Sequence, residues 1–208
     1  MRICTYSLGG ECRVGVLSGE KIADLDLAYA LSFVDLSPLE AMAHAEAETP
    51  ATCEEFLENL DACREIAEEA LAALRRNRRR SAPRLFDGRP VLHDPSEVRI
   101  LPPIIPGKIF CMALNYTAHA AEMAQVKRKD FREDLPLFCF FKPASSVNGP
   151  FDPVAVPPGT KMLDYELELG VVIGRGGRHI PAKHAMQHVG GYTLINDMSD
   201  RESQGSGK

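Results

Sequence analysis

The chain has 208 residues, 45% hydrophobic and 25% charged, with a formal net charge of -5 and a sequence pI near 5.7. This is the composition of an ordinary globular protein, long enough for one large domain or two small ones. Its acidic balance excludes a general nucleic-acid binder, which needs a basic surface to displace counterions, and no run approaches the roughly 20 apolar residues of a spanning helix. The start at Met1-Arg2 carries no apolar signal-peptide core, so a cytoplasmic location away from membranes is expected. Cysteines 4, 12, 53, 63, 111 and 139 show neither the two-residue spacing nor the nearby histidines of a zinc site, and most of them read as small apolar core residues.

Residues 1–36 alternate apolar and polar side chains, with turns at Gly9-Gly10 and Ser18-Gly19, and predict a three-stranded antiparallel meander leading into a helix near Leu27–Leu31. Pro38 suits a first helical turn. Thr52 suits the cap of a second helix, whose Phe56, Leu57, Leu60, Cys63, Ala67, Ala70, Leu71 and Leu74 recur at three and four. The arginines between 75 and 80 complement the macrodipole at that helix's C-terminus. Residues 81–97, rich in proline and turn formers, read as a linker, which sets domains at 1–80 and 98–208. Val98–Pro103 is expected to enter the second domain as an edge strand, where proline is tolerated.

Lys108–Leu114 reads as a buried strand, followed by a helix over about 117–125 that places His119 and Glu122 three apart on one side, as a general base and its orienting carboxylate would be. Leu137–Phe141 is a further apolar strand, with Lys142 at its end, and Val154–Val156 a short one. Asp164–Gly174 is a strand-like run carrying two carboxylates at alternate positions, so that Glu166 and Glu168 share one face. The loop Gly174-Arg175-Gly176-Gly177 fails as a dinucleotide fingerprint because His179 stands where glycine is required. His184 and His188 lie on a predicted helix from Pro181, without the glutamate of a zinc-protease motif, and read as surface residues. Asp197 ends an apolar strand from Gly191 and completes a three-carboxylate set with Glu166 and Glu168. Oxygen ligands select a hard cation: Mg²⁺ first, with Mn²⁺ or Ca²⁺ as alternatives.

Four stretches in order, Leu114–Met123, Phe141-Lys142-Pro143, Asp164–Gly174 and Gly191–Glu202, together resemble the fumarylacetoacetate hydrolase family over residues 98–204. The resemblance implies an α+β protein: a mixed β-roll behind a small α/β N-terminal domain, acting as a homodimer on a small-molecule 2-oxo acid. It implies Mg²⁺ or Mn²⁺ on Glu166, Glu168 and Asp197, water activation by His119 with Glu122, and a pocket lined by Lys142. The expected reaction is metal-dependent hydrolysis of a carbon–carbon bond in an acylpyruvate or β-diketone. Isomerisation, hydration or decarboxylation of 2-oxo and 2-hydroxy dienoic acids in aromatic degradation is the alternative, since these reactions share a metal-held enolate. Family members continue past the position of Lys208 into further roll strands and another pocket lysine, so a C-terminally truncated, incomplete roll, and with it an inactive member, is the remaining expectation.

Overall fold

The computed structural model describes residues 1–77, 88–113, 115–116 and 138–205. Two units are distinguished, Met1–Pro103 with Gly149–Lys208, and Ile104–Asn148. The first unit begins with the expected meander: β1 (Ile3–Leu8), β2 (Glu11–Ser18) and β3 (Lys21–Asp24) pair antiparallel, with Tyr6 opposite Arg13 and Gly15 opposite Asp24. Gly9, Gly10 and Gly19 take positive φ at the two hairpin turns, where a side chain would be strained. Two short strands extend the sheet, β4 (Leu92–His93) beside β3 and β5 (Arg99–Ile100) beside β1. The Val98–Pro103 segment therefore holds the predicted edge position, but in this N-terminal sheet. It is tied there by Leu101 N donating to Thr5 O at 2.9 Å and Thr5 Oγ1 donating to Pro103 O at 2.9 Å.

Four helices follow β3. Asp24 caps α1 (Leu25–Ala30), so this helix starts two residues before the predicted one. Ser37 and Glu40 form a capping box on α2 (Pro38–Glu48), and Thr52 caps α3 (Cys53–Glu58). The sequence period runs unbroken from α3 into α4 (Leu60–Arg76), but the backbone does not: Asn59 leaves helical geometry at φ -117 and ψ 42. Asparagine's short amide competes with the helical backbone, which makes it a natural place for a break. Of the four, α1, α3 and α4 pack on the sheet and α2 packs on α1. Tyr6, Val14, Val16, Leu25, Phe56, Cys63, Ala67 and Leu74 form the core. Burial holds the Cys53 and Cys63 thiols above the usual range and raises Cys4 to about 12, as inert core thiols require, whereas Cys12 and Cys139 are exposed.

Sequence periodicity gave no sign of the polar cluster beneath this sheet. Asp24, 1% exposed, accepts from Tyr6 Oη at 2.5 Å, from Leu27 N at 3.1 Å and from Arg13 through Nε and, at 3.1 Å, Nη2. Arg13 Nη2 also reaches Asp26 at 3.3 Å, and Asp26 accepts from Thr49 Oγ1 at 2.8 Å. The Arg13 guanidinium is held above its ordinary range by its hydrogen bond to Asp24, and the Tyr6 hydroxyl is pushed up by burial and then by the Asp24 charge.

In the second unit β6 (Ile109–Met112) and β7 (Cys139–Lys142) form a two-stranded antiparallel ribbon. The sequence reads β6 as buried, but Phe110 and Phe141, opposite each other with ring centroids 4.3 Å apart, are exposed. Apolar composition alone does not reveal that one face of a ribbon is open. Val154–Val156 is not a strand either, because Pro153, Pro157 and Pro158 on its flanks remove ladder donors.

The rest of the first unit is built on β8 (Leu163–Asp164), β9 (Leu167–Ile173), β10 (Val189–Asn196), β11 (Ser199–Asp200) and a short helix α5 (Arg201–Gly205). A 3-10 helix, Ala182–His188, replaces the predicted helix between β9 and β10. One face of the β9–β10 pair is apolar and open: Leu167 is 70% exposed and Leu194 72%, with Leu169, Val171, Ile173 and Tyr192 beside them. An apolar stripe of this kind is an association surface. The 208-residue chain is expected to sediment as a dimer or larger species and to become monomeric in Leu169→Lys/Leu194→Lys; a monodisperse 22.8 kDa unmodified chain would contradict this.

Candidate metal centre

Antiparallel pairing brings the acids together. Glu168 stands opposite Ile195 and Leu167 opposite Asn196, and one step further Asp197 N donates to Glu166 O at 2.8 Å. Opposed residues share a face, so Glu166, Glu168, Ile195 and Asp197 lie on one side of the hairpin and the apolar stripe on the other. Burial follows the same alternation, with Glu166 and Glu168 half-buried and Asp197 7% exposed. The β8–β11 pair, Asp164 opposite Ser199, continues the register of β9–β10. The two ladders are one long hairpin interrupted where Glu166 and Asp197 sit. Asn196 Oδ1 fills part of that gap by accepting from Glu166 N at 3.2 Å.

The side chain that organises the acids is Arg201, the first residue of α5. Its Nε donates to Asp164 Oδ2 at 2.9 Å and its Nη2 to Glu166 Oε1, while Ser199 Oγ donates to the other Glu166 oxygen at 3.2 Å. Burial lowers the proton affinity of this guanidinium, but the hydrogen bonds and charges of Glu166 and Asp164 outweigh burial and leave it above its ordinary range. Asp200 is held below the carboxylate range, first by the hydroxyl of Ser203, which donates at 2.8 Å. Arg201 had no role in the sequence reading. The available signal was a lone cation four residues past Asp197, next to a run of carboxylates.

His119 and Glu122 lie outside the described residues. Lys142 ends β7, opposite Ile109 and half-buried, in the other unit. Among the described residues, no three His, Cys, Asp or Glu side chains are gathered into an arrangement that holds a metal ion. The donor types and the shared face of Glu166, Glu168 and Asp197 suit a hard divalent cation. Their present side-chain positions do not converge, because Glu166 is turned onto Arg201 and Ser199.

Residues 108–208 match the model of the family described as fumarylacetoacetate (FAA) hydrolase C-terminal. These residues belong to the fumarylacetoacetate hydrolase family. Relatives include human mitochondrial oxaloacetate tautomerase FAHD2A, 39% identical over 156 residues, with 74% of this chain and 43% of the relative covered. Fumarylacetoacetate hydrolase domain-containing protein 2 of Pongo abelii is 39% identical over 160 residues, with the same 74% and 43% covered. Among solved structures, maleylpyruvate hydrolase from Sphingobium sp. SYK-6, in complex with manganese(II) and pyruvate, is 25% identical. It aligns with a TM-score of 0.63 over 97% of this chain and 60% of that one. The chain thus has the fumarylacetoacetate hydrolase α+β fold, and spans about 43% of the length of the curated relatives it matches. Among the described residues, no helix is long and apolar enough to cross a membrane.

Proposed function

We propose that the chain is the metal-holding part of a divalent-metal-dependent enzyme acting on small 2-oxo acids, with hydrolysis of a carbon–carbon bond in an acylpyruvate or β-diketone as the reaction. The observation that carries this reading is the placement of Glu166, Glu168 and Asp197 on one face at the interruption of the hairpin. The manganese(II) in the maleylpyruvate hydrolase structure supports a divalent ion, and Mg²⁺ or Mn²⁺ is the ion assigned to these carboxylates here, with Ca²⁺ the weaker fit. When bound, such an ion supplies Lewis-acid stabilisation of an enolate. Arg201 holds Glu166 turned onto itself and offsets the clustered negative charge, so it competes with the ion for that carboxylate. By the family resemblance, His119 with Glu122 would take the proton from an attacking water, and Lys142 would line the pocket. The enzyme works as a homodimer in an aqueous compartment, assigned as the cytoplasm.

A second reading, an isomerase that shifts a proton on a 2-oxo acid, is favoured by the name of the 39% identical human oxaloacetate tautomerase. The two differ in products. With Mn²⁺ present, hydrolysis releases pyruvate from an acylpyruvate, whereas isomerisation interconverts the keto and enol forms of oxaloacetate without release. Pyruvate release lost on Glu168→Ala supports the first reading, and keto–enol conversion alone supports the second; neither activity with any divalent ion contradicts both.

Arg201 gives a sharper test of the charge arrangement. Its positive charge opposes a cation at Glu166, so Arg201→Ala is expected to tighten Mn²⁺ binding roughly tenfold in titration calorimetry. Weaker binding in that variant would show that Arg201 builds the site rather than competing with the ion.

A further inference from the structure

The chain between β9 and β10 folds into a basic hollow that takes no part in the carboxylate site. Gly174 N and Arg175 N both donate to His188 O, at 3.0 and 3.3 Å, which closes residues 174–188 into a loop. His188 Nδ1 lies 2.8 Å from Arg175 O, and because a carbonyl only accepts, Nδ1 is the protonated nitrogen. Gly177 lies so close beneath the ring that a Cβ there would stand 2.7 Å from His188 Cε1 and from Ile180 Cδ1. His179 sits in the left-handed region at φ 53. The hollow, of about 400 Å³ and open to solvent, is lined by Arg175, Arg178, His179, His184, Gln187 and His188 among others.

Its charge is what distinguishes this hollow. From Leu169 to Asn196 the sequence contains no Asp or Glu, in a chain whose net charge is -5. Among the described residues Arg175 and Arg178 stand in no ion pair, whereas Arg13, Arg64, Arg76, Arg99 and Arg201 each do. Two guanidiniums with unused donor forks, with imidazoles beside them, match an anion carrying two or more charges on clustered oxygens. The length of β9 puts the hollow about 25 Å from Glu166, so an occupant does not share the carboxylate site. We propose that this hollow binds the phosphate or diphosphate group of a small soluble molecule. It does so through the side chains of Arg175 and Arg178, without the glycine fingerprint of a dinucleotide fold.

Titration calorimetry of the full chain with inorganic pyrophosphate, at low salt and with EDTA present, tests this. The expected result is saturable 1:1 binding that weakens at least roughly tenfold in Arg175→Ala/Arg178→Ala and less in Arg175→Lys/Arg178→Lys, which keeps the charge but loses the planar fork. Both arginines are exposed, and an unchanged circular dichroism spectrum verifies that the variants fold. Absence of saturation at millimolar pyrophosphate overturns the proposal, as does unchanged affinity in the alanine variant. Retention on duplex DNA or on phosphatidylserine vesicles without pyrophosphate saturation also overturns it, in favour of a macromolecular or membrane partner.

Discussion

Asp24→Ala is expected to destabilise the N-terminal sheet and its helices by about 3–5 kcal/mol, read as a lowered urea midpoint at constant slope. The change removes the acceptor of the Tyr6 hydroxyl, the N-cap of α1 and the closest partner of Arg13 together, and leaves a half-buried guanidinium with Asp26 and the exposed Glu11. Arg13→Met alone is expected to cost a similar amount, because it strands the Asp24 charge in the core. The double variant Arg13→Met/Asp24→Asn removes both charges while keeping an amide oxygen to accept from Leu27 N and an amide N–H to donate to the Tyr6 hydroxyl oxygen, and should lose less than either single change. A double variant as damaged as the sum of the two would mean that the pair contributes net stability rather than mutual compensation.

The second large effect concerns metal. An ion that binds only the folded chain stabilises it by mass action, by about 2.7 kcal/mol at a free concentration one hundred times its dissociation constant. Mn²⁺ at that level is expected to raise the unfolding temperature, EDTA to reverse the shift, and Asp197→Ala to cut it by about half or more. Asp197 is the most buried of the three acids. It has the least access to compensating solvent, so its loss should matter more than that of Glu166. An undiminished Mn²⁺ shift in Asp197→Ala would place the ion elsewhere.

What was readable in the sequence followed from local rules. The glycines at the meander turns, Pro38 in the first turn of its helix and the cap at Thr52 each report on backbone a few residues away, and each appears in the structure as expected. Period-two alternation was enough to put Glu166 and Glu168 on one face, and the antiparallel return of β10 brings Asp197 to the same face. Interactions set by register between distant strands were not readable. Arg13 meets Asp24 because β2 and β3 pair with Gly15 opposite Asp24, and nothing in the spacing of the two residues announces an ion pair. Arg201 reaches Asp164 and Glu166 through the continued register of β8 and β11, again across more than thirty residues of chain. Burial was least readable: the apolar strands β6, β7 and β9 look like core in composition, yet each shows one face to solvent. The proposed base pair, His119 and Glu122, falls outside the described residues, so its role rests on sequence alone.

The central claim is that Glu166, Glu168 and Asp197 hold one divalent ion between them. Electron paramagnetic resonance of free Mn²⁺, titrated with the 208-residue chain, measures this without any dependence on turnover. The account predicts one bound Mn²⁺ per chain, with affinity reduced by one to two orders of magnitude or more in each of Glu166→Ala, Glu168→Ala and Asp197→Ala. An unmodified chain that leaves the free Mn²⁺ signal unchanged, or three alanine variants that bind as tightly as it does, would contradict it.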